Sequence, residues 1–208
     1  MNYETLYAFM AATAALAISP GPDNIYVLMQ SLVNGKKYGL ATMAGLMSGC
    51  IVHTTLLAFG VSAIIKQSDV LFFGIKLLGA IYLFFLAYKV FKSDASLVIS
   101  KEGVGRKSLG ALFKQGFIMN VLNPKVTIFF LAFFPGFLFS DSVSTVVQFY
   151  ILGALFVLVS SVIFGSIALL SGVISSRIKE NPGIGGYLKW LQIIVFVGIA
   201  VYLLISDK

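Results

Sequence analysis

The sequence predicts an all-α integral membrane protein of six transmembrane helices, arranged as two inverted three-helix repeats with the first helix of each half broken at proline. Three observations lead there. Of 208 residues, 59% are hydrophobic and 11% charged, against about 45 to 50% and about 25% in soluble domains. The apolar residues form continuous runs rather than alternating stretches, which excludes barrel strands, because backbone groups in lipid must bond within a helix or a closed barrel. The run that opens each half also carries proline beside a charged residue. The length accommodates one transmembrane domain, 1–208, and no separate soluble one.

The runs long enough to span a bilayer are 6–33, 40–65, 70–91, 113–139, 146–174 and 187–205. Within the first, Ala15-Leu16-Ala17 resembles a small-residue cleavage site. A secretory signal needs a basic segment ahead of its apolar stretch, whereas the first five residues contain Glu4 and no Lys or Arg, so the run is expected to stay as a helix. The second run opens after Lys36 and Lys37, and the third follows Lys66. A basic linker of approximately 93–108 then separates repeats of approximately 1–92 and 109–208. The odd-numbered connections and their helix ends hold eleven basic residues, among them Lys89, Lys101, Arg106, Lys107, Arg177, Lys179 and Lys189. The even connections and tails hold two, Lys66 and Lys208. The excess of Lys and Arg marks the cytoplasmic side, so both termini are expected outside. The same asymmetry accounts for the net charge of +7 and the pI of about 9.5 without a nucleic-acid partner, although basic residues in the third connection could also attract anionic lipid.

The first run is interrupted by Ser19-Pro20-Gly21-Pro22-Asp23-Asn24 and the fourth by Asn120-Val121-Leu122-Asn123-Pro124-Lys125. Proline removes an amide donor and clashes with the preceding turn. Pro20 and Pro22 should therefore unwind their helix, and Pro124 should at least kink its own. Paired interruptions in two halves point to a midplane substrate site in a secondary transporter, with simple packing kinks as the competing account. Asp23 is the only deep acid. It follows Pro22 as Lys125 follows Pro124, so the two are expected to face each other or a common cavity, as a substrate and coupling site or as a structural ion pair. Asn120 and Asn123, three apart, make a polar stripe that either lines a cavity or bonds neighbouring helices. His53, the only histidine, serves either a proton relay or a bond between helices. Lys76 lies within two turns of its helix end and is expected to snorkel. Gly45 and Gly49 form a small-residue step that lets another helix approach, with the unwound first helix as one candidate partner. Cys50 stands alone, which rules out an intrachain disulfide and a dithiol relay.

Taken together, Pro20-Gly21-Pro22 late in the first helix, the ladder Gly35, Gly39, Gly45 and Gly49, and Gly116-Phe117 followed by Asn120, Asn123-Pro124-Lys125, Phe129-Phe130 and Pro135 resemble the LysE/RhtB family of amino-acid exporters over essentially the whole chain. The resemblance implies export of amino acids or related small metabolites across the bacterial inner membrane, energised by the proton gradient, with no cofactor and no metal. It leaves the particular substrate open. On that reading Asp23 holds the substrate ammonium and is released by protonation, while Lys125 and the amides of a half-helix hold the carboxylate. Pro20, Gly21, Pro22, Asn24, Asn120, Asn123, Pro124 and His53 complete the candidate substrate and coupling site. An enzyme is disfavoured, since there is neither a second deep acid nor a His-Glu-x-x-His or Gly-x-Ser-Gly motif. An ion or metabolite channel and a non-transporting assembly protein are the remaining alternatives. The small-residue faces admit a homodimer as readily as a monomer.

Overall fold

The computed structural model describes residues 2–63, 68–94, 105, 107–181 and 183–205. Lys66, Lys101, Arg106 and Lys208, the end of the second run and most of the basic linker lie outside them. Every regular element among the described residues is helical.

The first apolar run forms two helices. α1 (Tyr3–Ile18) starts where the Asn2 side chain accepts hydrogen bonds from the amides of Glu4 and Thr5, a normal use of Asn at a helix start. It stops at Ser19 because Pro20 and Pro22 cannot donate into it. Its 16 residues reach about 24 Å, short of the ~30 Å hydrocarbon layer. α2 (Pro22–Asn34) restarts with proline at its first position, where the missing amide costs nothing. Gly35, with φ of 107°, makes the sharp turn into α3 (Lys36–Leu56). That helix runs on through a wider π turn at Leu57–Val61.

α4 (Asp69–Lys92) follows, then α5 (Leu109–Val121). The fourth run breaks after Val121, and α6 (Pro124–Ile128) continues through a π turn at Phe129–Phe133 and a tight 3-10 turn at Phe134–Phe137. The axes on either side of the break differ by 50°, so Pro124 does more than kink its helix. α7 (Thr145–Leu169), α8 (Ser171–Glu180) and α9 (Gly183–Ile205) complete the chain. Among the described residues four helices are long and apolar enough to cross a membrane, Lys36–Val61, Val70–Lys92, Thr145–Leu169 and Ile184–Ile205. The bent pair makes a fifth candidate span.

The glycines decide the tightest crossing. A Cβ at Gly45 would strike the Phe113 carbonyl, one at Gly116 the Thr42 carbonyl, and one at Gly49 would stand 2.6 Å from Asn120 Oδ1. α3 and α5 therefore touch backbone to backbone. Gly45 and Gly49 consequently pack against α5 and not against the unwound first helix, whereas Gly39 is the glycine that admits α2, through Ser31.

Beside this seam lies an aromatic core. Phe129 stacks on Phe133 at 4.4 Å and Phe130 on Phe134 at 4.2 Å. Phe9 of α1 meets Phe134 edge-on at 5.0 Å, and Phe156 of α7 meets Phe130 at 4.9 Å. The rings fasten α1 and α7 onto the continuation of α6. Opposite them, the buried Gln148 secures the turn before α7: its oxygen accepts from the amides of Phe139 and Ser140, and its nitrogen donates to the carbonyls of Ser140 and Val143. Lys76 is buried at 6% exposure, its ammonium 5.7 Å from the ring centre of Phe72, one turn nearer the start of α4.

Candidate functional site: two broken helices around one charged cavity

Breaking α1 from α2 frees backbone groups that lipid cannot satisfy, and the residues after the break supply partners. The Ser19 amide donates to the Ala15 carbonyl at 3.1 Å. The Asn24 side chain reaches back to donate to the Ala17 carbonyl at 2.7 Å, replacing the amide that Gly21 would have offered in a continuous helix. Asp23, immediately before Asn24, is left at the second position of α2, where an anion meets the positive helix end.

The second break is built in the same way. Asn123 caps α6 by accepting from the Lys125 amide at 3.0 Å, with Pro124 at the first helical position. Its amide nitrogen donates to Asp23 Oδ2 at 2.9 Å. One side chain thus ties the start of α6 to the start of α2, 100 residues away in sequence. Asn123 therefore lies beyond the end of α5 and does not share a face with Asn120, which sits in the last turn of α5. The Asn120 carbonyl, which accepts from the Asn123 amide at 3.0 Å, accepts also from His53 Nε2 at 3.1 Å. His53 thereby bonds α3 to α5, its ring 5.4 Å from that of Phe130, and it is not among the residues lining the cavity described next.

Asp23 and Lys125 line a common cavity of about 50 Å³, together with Asn24, Cys50, Asn120 and Ser160, and with Phe156 and Phe164 among its apolar walls. Among the described residues no contact ion pair joins Asp23 to Lys125. The Lys125 ammonium lies 5.0 Å from the Phe196 ring centre, within cation–π range. It also lies 3.8 Å from the point a Cβ on Gly21 would occupy, so the base of the second break reaches the first. A cavity of this size holds a few waters and not an amino acid.

Two buried polar atoms on its lining residues have no partner, Asn120 Oδ1 and Ser160 Oγ. The Asn120 nitrogen makes only a long contact to Cys50 Sγ, at 3.5 Å. Unpaired buried groups are costly. Ser160 carries no signal in the sequence, since a serine within a membrane helix ordinarily bonds its own backbone, as Ser48 and Ser166 do here. Of the other residues singled out in the sequence, Pro20 borders a second cavity, while Gly21, Pro22 and Pro124 shape the breaks without lining the first.

A helical membrane protein whose two proline-broken helices deliver an acid and a base into one buried cavity has the build of a membrane transporter. The sequence pattern of the LysE type translocators matches residues 14–207, and the chain belongs to that family. It is 28% identical over 179 residues to the homoserine/homoserine lactone efflux protein of Salmonella typhimurium, covering 86% of each chain. To the leucine efflux protein of Klebsiella pneumoniae it is 30% identical over 201 residues, covering 96% of this chain and 93% of the relative. The leucine efflux protein of Salmonella choleraesuis is 28% identical over 203 residues. No solved structure matches the chain.

Proposed function

We propose that this protein is a secondary transporter of the bacterial cytoplasmic membrane that exports amino acids or related small metabolites in exchange for protons, with no cofactor. The observation that carries the proposal is the shared cavity of Asp23 and Lys125, one residue from each break and not paired with each other. The relatives named as homoserine/homoserine lactone and leucine efflux proteins support the class of cargo.

The charges divide the work. The start of α2 already carries Asp23, and the start of α6 is capped by Asn123, so neither helix end is free to hold a substrate carboxylate. Lys125 takes that role and Asp23 takes the ammonium. Asn120 and Ser160, each with an unpartnered oxygen, supply the remaining hydrogen bonds. Protonation of Asp23 from outside removes the charge that holds the ammonium and releases cargo outward. Return to the inward-facing form delivers the proton to the cytoplasm. Because Asp23 is held by Asn123, its change of charge acts directly on the contact between the broken helices, giving the two facing states the different cargo affinities that transport requires.

The matching Gly-Pro-Asp and Asn-Pro-Lys starts of α2 and α6 support an inverted repeat of approximately 1–92 and 109–208, in which α1 and α2 together make the first of six spans. The distribution of Lys and Arg supports both termini outside.

The experiment is flux in proteoliposomes under an imposed proton gradient, with labelled neutral and basic amino acids, for wild type and Asp23→Asn. Gradient-driven flux in wild type, with loss of at least tenfold in an Asp23→Asn protein that melts normally, is the expected result. Flux that persists in Asp23→Asn assigns coupling elsewhere. Flux with no tie to the proton gradient means a channel, and no flux from folded wild type removes the exporter reading.

A further inference from the structure

Across Asn24 from the charged cavity lies a second one of about 390 Å³, between α2, α7, α8 and α9, with Asn24 lining both. Its walls are aliphatic, chiefly Ile25, Leu28, Ile163, Ile167, Ile174 and Ile178. No lining residue is charged. The Ser166 hydroxyl is already committed to the Val162 carbonyl at 2.7 Å, and the Asn24 amide to the Ala17 carbonyl.

The inner cavity is too small for a whole amino acid, so cargo held between Asp23 and Lys125 must extend its side chain into adjoining space. The aliphatic cavity adjoins it, and Asn24 is the partition. A hydroxyl entering there would exchange its water for at most the oxygens of Asn24 and Ser166, and an ammonium would find no carboxylate, whereas hydrocarbon gains by leaving water.

We infer that the aliphatic cavity receives the side chain of the cargo, so that the protein selects neutral amino acids with branched aliphatic side chains over hydroxylated and cationic ones. The inference rests on the exporter reading and adds the substrate class to it. A lipid acyl chain is the competing occupant, because Val162 and Ile25 leave the cavity open at the protein surface, at 65% and 39% exposure. The lining residue shared with the charged cavity, Asn24, favours the cargo side chain.

The test measures flux of leucine, alanine, homoserine and lysine in proteoliposomes containing wild type, Ile163→Trp, which fills the cavity, or Ile163→Ser, which makes its wall polar. Ratios between substrates within one preparation do not depend on how much of the protein is folded. Wild type is expected to carry leucine at least tenfold faster than homoserine or lysine, the discrimination apolar pockets reach. Ile163→Trp should lower leucine flux at least tenfold while alanine flux stays within twofold, and Ile163→Ser should narrow the leucine-to-homoserine ratio at least fivefold. The inference is overturned if wild type carries homoserine or lysine as fast as leucine, or if both variants leave the ratios unchanged, as an acyl-chain site would. In either case the exporter reading survives, since some amino acid moves. If folded wild type moves none of the four, the exporter reading falls and the inference falls with it.

Discussion

Asn123 shows how one side chain can serve two elements. Its oxygen caps α6 while its nitrogen holds Asp23, so no other residue type of similar size can fill both roles: aspartate lacks the donor, and serine is too short to span both partners. Asn123→Ala should cost about 1 kcal/mol for the cap and about 1.5 to 3 kcal/mol more for the bond to a charged group. A lower melting temperature in detergent would register this, together with flux reduced by more than the loss of folded protein accounts for. An unchanged melting curve would mean that the cap contributes nothing. Proline beside charge made Asp23 and Lys125 legible in the sequence. The double duty of Asn123 was not, because its second partner is 100 residues away, and neither was Ser160, whose single hydroxyl becomes informative only once it is found buried and unpaired beside those charges.

At the level of elements, the seam between α3 and α5 depends on glycines facing carbonyl oxygens. Backbone cannot move aside as a flexible side chain can, so Gly45→Val and Gly116→Val should force the helices apart and abolish most of the folded yield, read by size-exclusion chromatography in detergent. Gly198→Ala is the contrasting case. Nothing lies within 4 Å of the added methyl, and the helix should gain up to about 1 kcal/mol or stay unchanged. Equal losses at all three positions would show that close approach does not govern them. The small-residue spacing was visible in the sequence, but which helix the spacing admits was not: the unwound first helix was a reasonable partner for Gly45 until α5 was found lying against it.

For the whole molecule, the positive charges predict a topology that chemistry can read. On that prediction Ser142, in the exposed turn before α7, is expected outside, and Lys37, exposed at the start of α3, in the cytoplasm. In a Cys50→Ala background, Ser142→Cys should react with a membrane-impermeant thiol reagent on intact cells, and Lys37→Cys only after permeabilisation. The reverse pattern would invert the orientation and place the aliphatic cavity, whose walls include the α7 end near Ile167 and the α8 residue Ile178, towards the outside.

Membrane class, helical content, the positions of both breaks and the charged residue beside each break follow from the sequence itself, because hydrophobic length, proline and intramembrane charge act through local chemistry that needs no knowledge of neighbours. The tertiary structure alone decided the rest. It set the Asn24 side chain on the Ala17 carbonyl across the first break, buried Lys76, gave His53 to the Asn120 carbonyl, and placed a small charged cavity beside a larger aliphatic one. Each of these depends on which surfaces meet. That is fixed by shape complementarity among distant segments, to which a linear pattern of residues is blind.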